Sequence, residues 1–146
     1  MELAAAKIAL TAQRIAVLGT ADDAAGQQIA REASRIARME SLVPVVTTTS
    51  ITQIQELSTR FRPAVILLDE GLENDAPLRE PLRKLAALAP VILIAPVERQ
   101  GEVASIVATG EIDFVARTRD FAPLAIGLVE RQLSSAARQI SGMARV

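Results

Sequence analysis

Cysteine and histidine are both absent from this chain of 146 residues, and so are tryptophan and tyrosine. Without cysteine there is no disulfide framework, no thiolate nucleophile and no thiolate metal site, and a reducing compartment fits. Without histidine the commonest general base and metal ligand are missing, and phosphohistidine chemistry is excluded. Aromatic residues make up 2%, namely Phe61, Phe114 and Phe121, in a composition that is 50% hydrophobic. A core must therefore be assembled from Val, Ile, Leu and Ala, which favours layered helices and strands over an aromatic-rich barrel. No charge sign dominates: 16 basic residues face 17 acidic ones, for a net −1. That balance does not supply the electrostatic term that drives nucleic-acid binding. Long apolar runs are lacking too, since none approaches the roughly 18 residues needed to cross a bilayer. The opening MELAAAKIAL is interrupted by Glu2 and Lys7. The chain is expected to be a cytoplasmic protein of one-domain size that binds neither DNA nor membrane.

What is present is an alternation of short β-branched runs with helix-like stretches. Strands are expected at 14–19 (RIAVLG), 43–48 (VPVVTT), 64–69 (AVILLD), 91–95 (VILIA) and 112–116 (IDFVA). They are apolar almost throughout, as in a parallel sheet covered by helices on both faces. Helices are expected between them. Residues 22–41 carry Ile29, Ala33, Ile36 and Ala37 at helical spacing, with Asp22 and Asp23 suited to the N-terminus. Residues 50–60 are capped by Ser50, present Ile51, Ile54 and Leu57, and are stopped by Pro63. Helices at 76–88, 98–109 (with Gly110 as C-cap) and 120–143 complete the set. There is no internal repeat. The fold class is α/β, a doubly wound five-stranded parallel sheet in a (βα)5 three-layer sandwich of flavodoxin-like type. The domain spans 14–133, after an extension at 1–13 that is either helical or frayed. Residues 134–146 extend the last helix, where Ile126, Val129, Leu133, Ala136, Ile140 and Met143 follow coiled-coil spacing. That pattern fits either a helix docked on its own sheet or a dimerising or transmitting linker. The absence of a stop signal at the end leans toward a piece of something longer.

In open α/β sheets functional groups gather at the carboxyl ends of strands. Those ends hold Gly19 and Thr20, then 47–49, then Asp69 and Glu70, then Ala95 and Pro96, and finally Arg117 and Thr118. The five βα units, VILLDEG at 65–71, PVILIAP at 90–96 and GEIDFVAR at 110–117 resemble the receiver domains of two-component response regulators. The resemblance covers 14 to about 133. It implies a signalling module in a phosphorelay, with Asp69 at the phosphoacceptor position and Phe114 at the switch aromatic. It also implies a Mg²⁺ site made by an acidic pair after the first strand, a Thr or Ser after the fourth and a Lys-Pro after the fifth. Here those places hold Gly19 and Thr20, Ala95, and Arg117 and Thr118, with Glu70 beside the acceptor.

Each replacement has a chemical consequence. An acyl phosphate beside carboxylates needs a bridging divalent cation with hard oxygen ligands, which Gly19 and Thr20 do not offer. Ala95 removes a hydroxyl donor to the phosphoryl group. The planar fork of Arg117 suits a fixed clamp on Asp69, or a contact through Glu70, with a solvated strand-end side chain as the plainer alternative. The primary expectation is thus a pseudo-receiver, a protein-interaction module that is not an enzyme and needs no cofactor. Its expected partners are a histidine kinase, an output domain or a second copy, the last through the fourth helix, fifth strand and fifth helix or the C-terminal helix. One alternative is a phosphoaccepting receiver whose Mg²⁺ is held by Asp22 or Asp23, although capping accounts for both acids. Another is a flavodoxin-like ligand-binding domain, against which the acids in GTADDAAG at 19–26 and the missing ring-stacking residues both count.

Overall fold

The computed structural model describes residues 14–21, 23–40, 44–69, 79–108 and 112–144. The expectations placed on 1–13, Asp22, Glu70 and Gly110 lie outside them. The elements are β1 (Arg14–Gly19), α1 (Ala24–Glu40), β2 (Val45–Thr48), α2 (Ile51–Arg60) and β3 (Arg62–Asp69). They continue with α3 (Arg79–Ala86), β4 (Val91–Ala95), a 3-10 turn (Val97–Arg99) leading into α4 (Gln100–Val107), β5 (Ile112–Ala116) and α5 (Phe121–Ala144). All strand pairs are parallel and the order is β2-β1-β3-β4-β5. This is the doubly wound α/β sandwich expected. Its switch in winding direction falls between β1 and β3, where ligand clefts of open sheets form.

Strand alternation divides the apolar residues between two cores. Ala16, Leu18, Val65, Leu67, Ile92, Ile94 and Val115 face α1 and α5. Ile15, Val17, Ile66, Leu68, Val91, Leu93 and Ile112 face α2, α3 and α4. Every residue of β4 is buried. Burial on both faces is why these strands read as unbroken apolar runs.

The helices bury the stripes their spacing indicates, with two differences. On α2, Ile54 is buried together with Ser58, while Ile51 and Leu57 sit only partly covered. On α5 the buried line is Ala122, Ala125, Val129 and Leu133, and Ile126 lies at its flank. Through Leu133 the helix therefore docks on its own sheet beside α1, and the heptad-like spacing up to that point is used inside the domain. The side chains of Ala136, Ile140 and Met143 lie outside the described set.

Boundaries differ where local chemistry intervenes. The α2 helix ends at Arg60, and the Phe61 N–H donates to the Leu57 carbonyl, 2.9 Å away. Pro63, expected only to stop that helix, lies within β3. The pairing with β1 slips beside it, from Ile15 with Pro63 to Ala16 with Val65. A register irregularity near the start of a strand is where a central sheet tolerates a residue without an N–H. The fourth helical stretch opens as a 3-10 turn after Pro96, and its α-helical part starts at Gln100, later than expected.

Leu133 is fully buried in the core shared by α1, α5 and the sheet. Leu133→Ala should lower the unfolding free energy by about 3 kcal/mol in a urea titration. A loss under about 1 kcal/mol would mean that this turn of α5 is not docked.

Candidate functional site

The carboxyl edge of the sheet is organised around Asp69. Strand β3 is buried on both faces and delivers this carboxylate to its end at 2% exposure. A buried carboxylate is tolerated only with a cation and hydrogen bonds around it. Arg117 provides both, donating from Nη2 to Asp69 Oδ1.

The turn after β5 sets that contact. The Arg117 N–H donates to the Ala95 carbonyl at 2.9 Å, which extends the β4–β5 ladder by one residue, and the Thr118 N–H folds back onto the Ala116 carbonyl at 2.8 Å. The Arg117 guanidinium carbon lies 4.9 Å from the ring centroid of Phe121, the first residue of α5. The guanidinium thus meets a carboxylate and also lies over an aromatic ring. Arginine's flat, weakly hydrated head group suits that arrangement, and a lysine ammonium does not reproduce it. The Arg117 side chain is 26% exposed, so the pair is covered but not sealed.

The remaining sequence-indicated positions are distributed as follows. Gly19 lies under Ile54 of α2. A Cβ there would collide with Ile54 Cδ1 and come within 3.2 Å of the Leu67 carbonyl oxygen. Thr20 is buried, and its N–H donates to the Thr48 carbonyl at 3.1 Å. Asp23 caps α1, accepting from the Gly26 N–H at 2.7 Å through Oδ1. Ala95 is fully buried in the core under α2, α3 and α4. Phe114 is half-buried against that same core, on the face of the sheet opposite the Arg117 and Phe121 stack. Thr118 is exposed. The structure brings Asp69 and Arg117 together and leaves Asp23 engaged at a helix end.

The fit of a divalent cation can be judged from the donor set. Mg²⁺ takes hard oxygens in near-octahedral array. Among the described residues, the carboxylate of this pocket is Asp69, which carries a guanidinium, and no group of three acidic or other metal-ligating side chains exists. The described residues do not fit Mg²⁺.

Phe121 escaped the sequence reading. It had no sequence signal, because the i,i+4 rule holds within a helix and Arg117 lies in the strand-end turn before α5 begins. The role of Ile54 under Gly19 had no sequence signal.

No protein-family model matches the chain, and no curated protein matches it. Solved structures do. The crystal structure of an adenylate cyclase from Rhodopirellula baltica superposes with a TM-score of 0.52 at 14% identity, covering 92% of this chain and 99% of that one. A response regulator receiver protein from Burkholderia phymatum gives 0.50 at 17% identity, covering 83% and 95%. The fold is receiver-like. At such identities the likeness concerns the fold alone. The Legionella pneumophila response regulator LqsR gives a TM-score of 0.49 at 13% identity, and this chain covers 50% of it.

Replacing Arg117 with leucine leaves the Asp69 carboxylate without its guanidinium. The change should cost about 2–3 kcal/mol in chemical denaturation, below the value for a fully sealed pair because Arg117 keeps some solvent. Asp69→Asn in the Arg117→Leu background should recover much of that loss, and a double-mutant cycle showing no coupling would contradict the pairing.

Proposed function

We propose that this chain is a receiver-like signalling module of two-component type that works through protein contacts and not through phosphorylation of Asp69. The observation that carries the reading is the buried Asp69 carboxylate held by Arg117. Attack on a phosphoryl donor would require a carboxylate oxygen to leave the guanidinium while a divalent cation bridged the incoming oxygens. Ala95 offers the phosphoryl group a methyl where receivers offer a hydroxyl. Gly19 and Thr20 offer no carboxylate.

On this reading the protein is a binding module in the cytoplasm, not an enzyme, and it uses no cofactor. Its partner is a histidine kinase, an output domain or a second copy. The face formed by α4, β5 and α5 supports a self-contact, since it carries Leu124 at 63% exposure and the half-buried Phe114. The helical extension beyond Ser134 is the second candidate surface for pairing.

Incubation with acetyl phosphate, or with beryllofluoride, in the presence of Mg²⁺ should produce no adduct by mass spectrometry. A phosphoryl mass located on Asp69 would overturn the proposal. Light scattering should give a dimer for the full chain. Its persistence in a chain ending at Ser134 would assign pairing to the α4, β5 and α5 face, its loss would assign it to the extension, and a monomeric full chain would reject self-association.

A further inference from the structure

On the far side of β1 from Asp69, the carboxyl ends of β1 and β2 and the first turns of α1 and α2 form an open cavity of about 440 Å³. Its polar wall consists of Thr20, Gln27, Thr47, Thr49, Ser50 and Gln53. The hydroxyl run at 47–50 reads in sequence as a strand end followed by a helix cap, and part of it does that work. The Ser50 Oγ accepts from the Gln53 N–H at 3.3 Å, and the Ser50 N–H donates to Thr48 Oγ1 at 3.0 Å. The Thr48 hydroxyl in turn donates to Gln53 Oε1. That last bond fixes the orientation of the Gln53 carboxamide and leaves its NH₂ group as a donor.

Capping does not account for Thr20. This residue is 6% exposed, and its N–H is tied to the Thr48 carbonyl, yet its hydroxyl makes no hydrogen bond among the described residues. Among the described residues the buried side-chain oxygen without a partner is Ser58 Oγ, so the Thr20 hydroxyl reaches the solvent of the cavity, where it is a ready contact for a ligand.

The chemistry of the wall selects the occupant. No side chain of the described lining is charged. Among the described residues the acid nearest in sequence is Asp23, whose Oδ1 accepts from the Gly26 amide, which places a carboxylate at the α1 end where a bound anion would need bare N–H donors. Threonine, serine and glutamine both donate and accept, which matches ligand hydroxyls, themselves donors and acceptors. The volume lies in the range of small-ligand sites. We infer that this cavity binds an uncharged polyhydroxylated molecule of about the size of a sugar ring. This inference is independent of the state of Asp69.

The test is a two-dimensional NMR titration of the full chain with D-ribose and with myo-inositol as probes, and with inorganic phosphate in a parallel arm. Saturable shifts at the amides of Thr20, Thr49 and Gln53 are expected with at least one polyol. Thr20→Val and Gln53→Leu should each weaken that binding about fivefold to tenfold, the loss of one hydrogen bond. The thermal midpoint of Thr20→Val should stay within a few degrees of the parent, because the substitution keeps the side-chain shape and removes a hydroxyl with no hydrogen-bond partner among the described residues, so that weakened binding is not a folding defect. The inference is overturned by the absence of saturable shifts with both polyols, by undiminished binding in the two variants, or by inorganic phosphate binding more tightly than either polyol.

Discussion

Carrying a carboxylate to the end of a strand that is apolar on both faces removes most of its water, and an ion so treated costs several kcal/mol unless a counter-charge stands beside it. Asp69 is in that position. The carboxyl edge is arranged to meet the demand: the ladder between β4 and β5 runs one residue further, the turn at Thr118 reverses the chain, and α5 begins with the ring that covers the guanidinium. The start of α5 is thereby tied to the end of β3 through a single side chain. Since α5 also contributes Ala125, Val129 and Leu133 to one of the two cores, the ion pair and the hydrophobic packing fix the same helix from two directions.

That double attachment bears on signalling. A module that switches needs an element with two arrangements of similar free energy and a ligand that prefers one of them. Here the cation is already on the acid, and the aromatic that supports it is Phe121, whereas Phe114 rests on the other face of the sheet. On the function proposed above, a signal is better carried by whether a partner is present than by a change of state at the acid.

The sequence made the architecture legible because the strands are buried on both faces. VILLD and VILIA, short apolar runs rich in β-branched residues and bounded by turn signals, read as parallel strands under helices, and the stripe of Ile29, Ala33, Ile36 and Ala37 gave the face of α1. The pairing of Asp69 with Arg117 was legible too, since each ends a strand on the same edge of the sheet. Ranges were harder where two effects compete: Pro63 stops a helix on local grounds, but it was drawn into β3 by the apolar run that follows it. The α5 stripe was ambiguous because heptad and core-facing spacings coincide over a few turns, and only packing places Ala125 inside and Ile126 at the rim. The hydroxyl-lined cavity was hidden because cap and ligand contact use the same residue types, and partner assignments alone separate them.

Gly19 sits under Ile54, so the space where a side chain at the end of β1 would stand is taken by the Cδ1 methyl of that residue. The two positions therefore constrain each other across the sheet. A side chain at 19 meets the Cδ1 end of Ile54 and requires that side chain to shift, whereas a smaller residue at 54 alone opens a hole in the core. Positions 19 and 54 are thus expected to change together among related sequences, so the residue type at the end of β1 is coupled to packing at a residue that has no chemistry of its own.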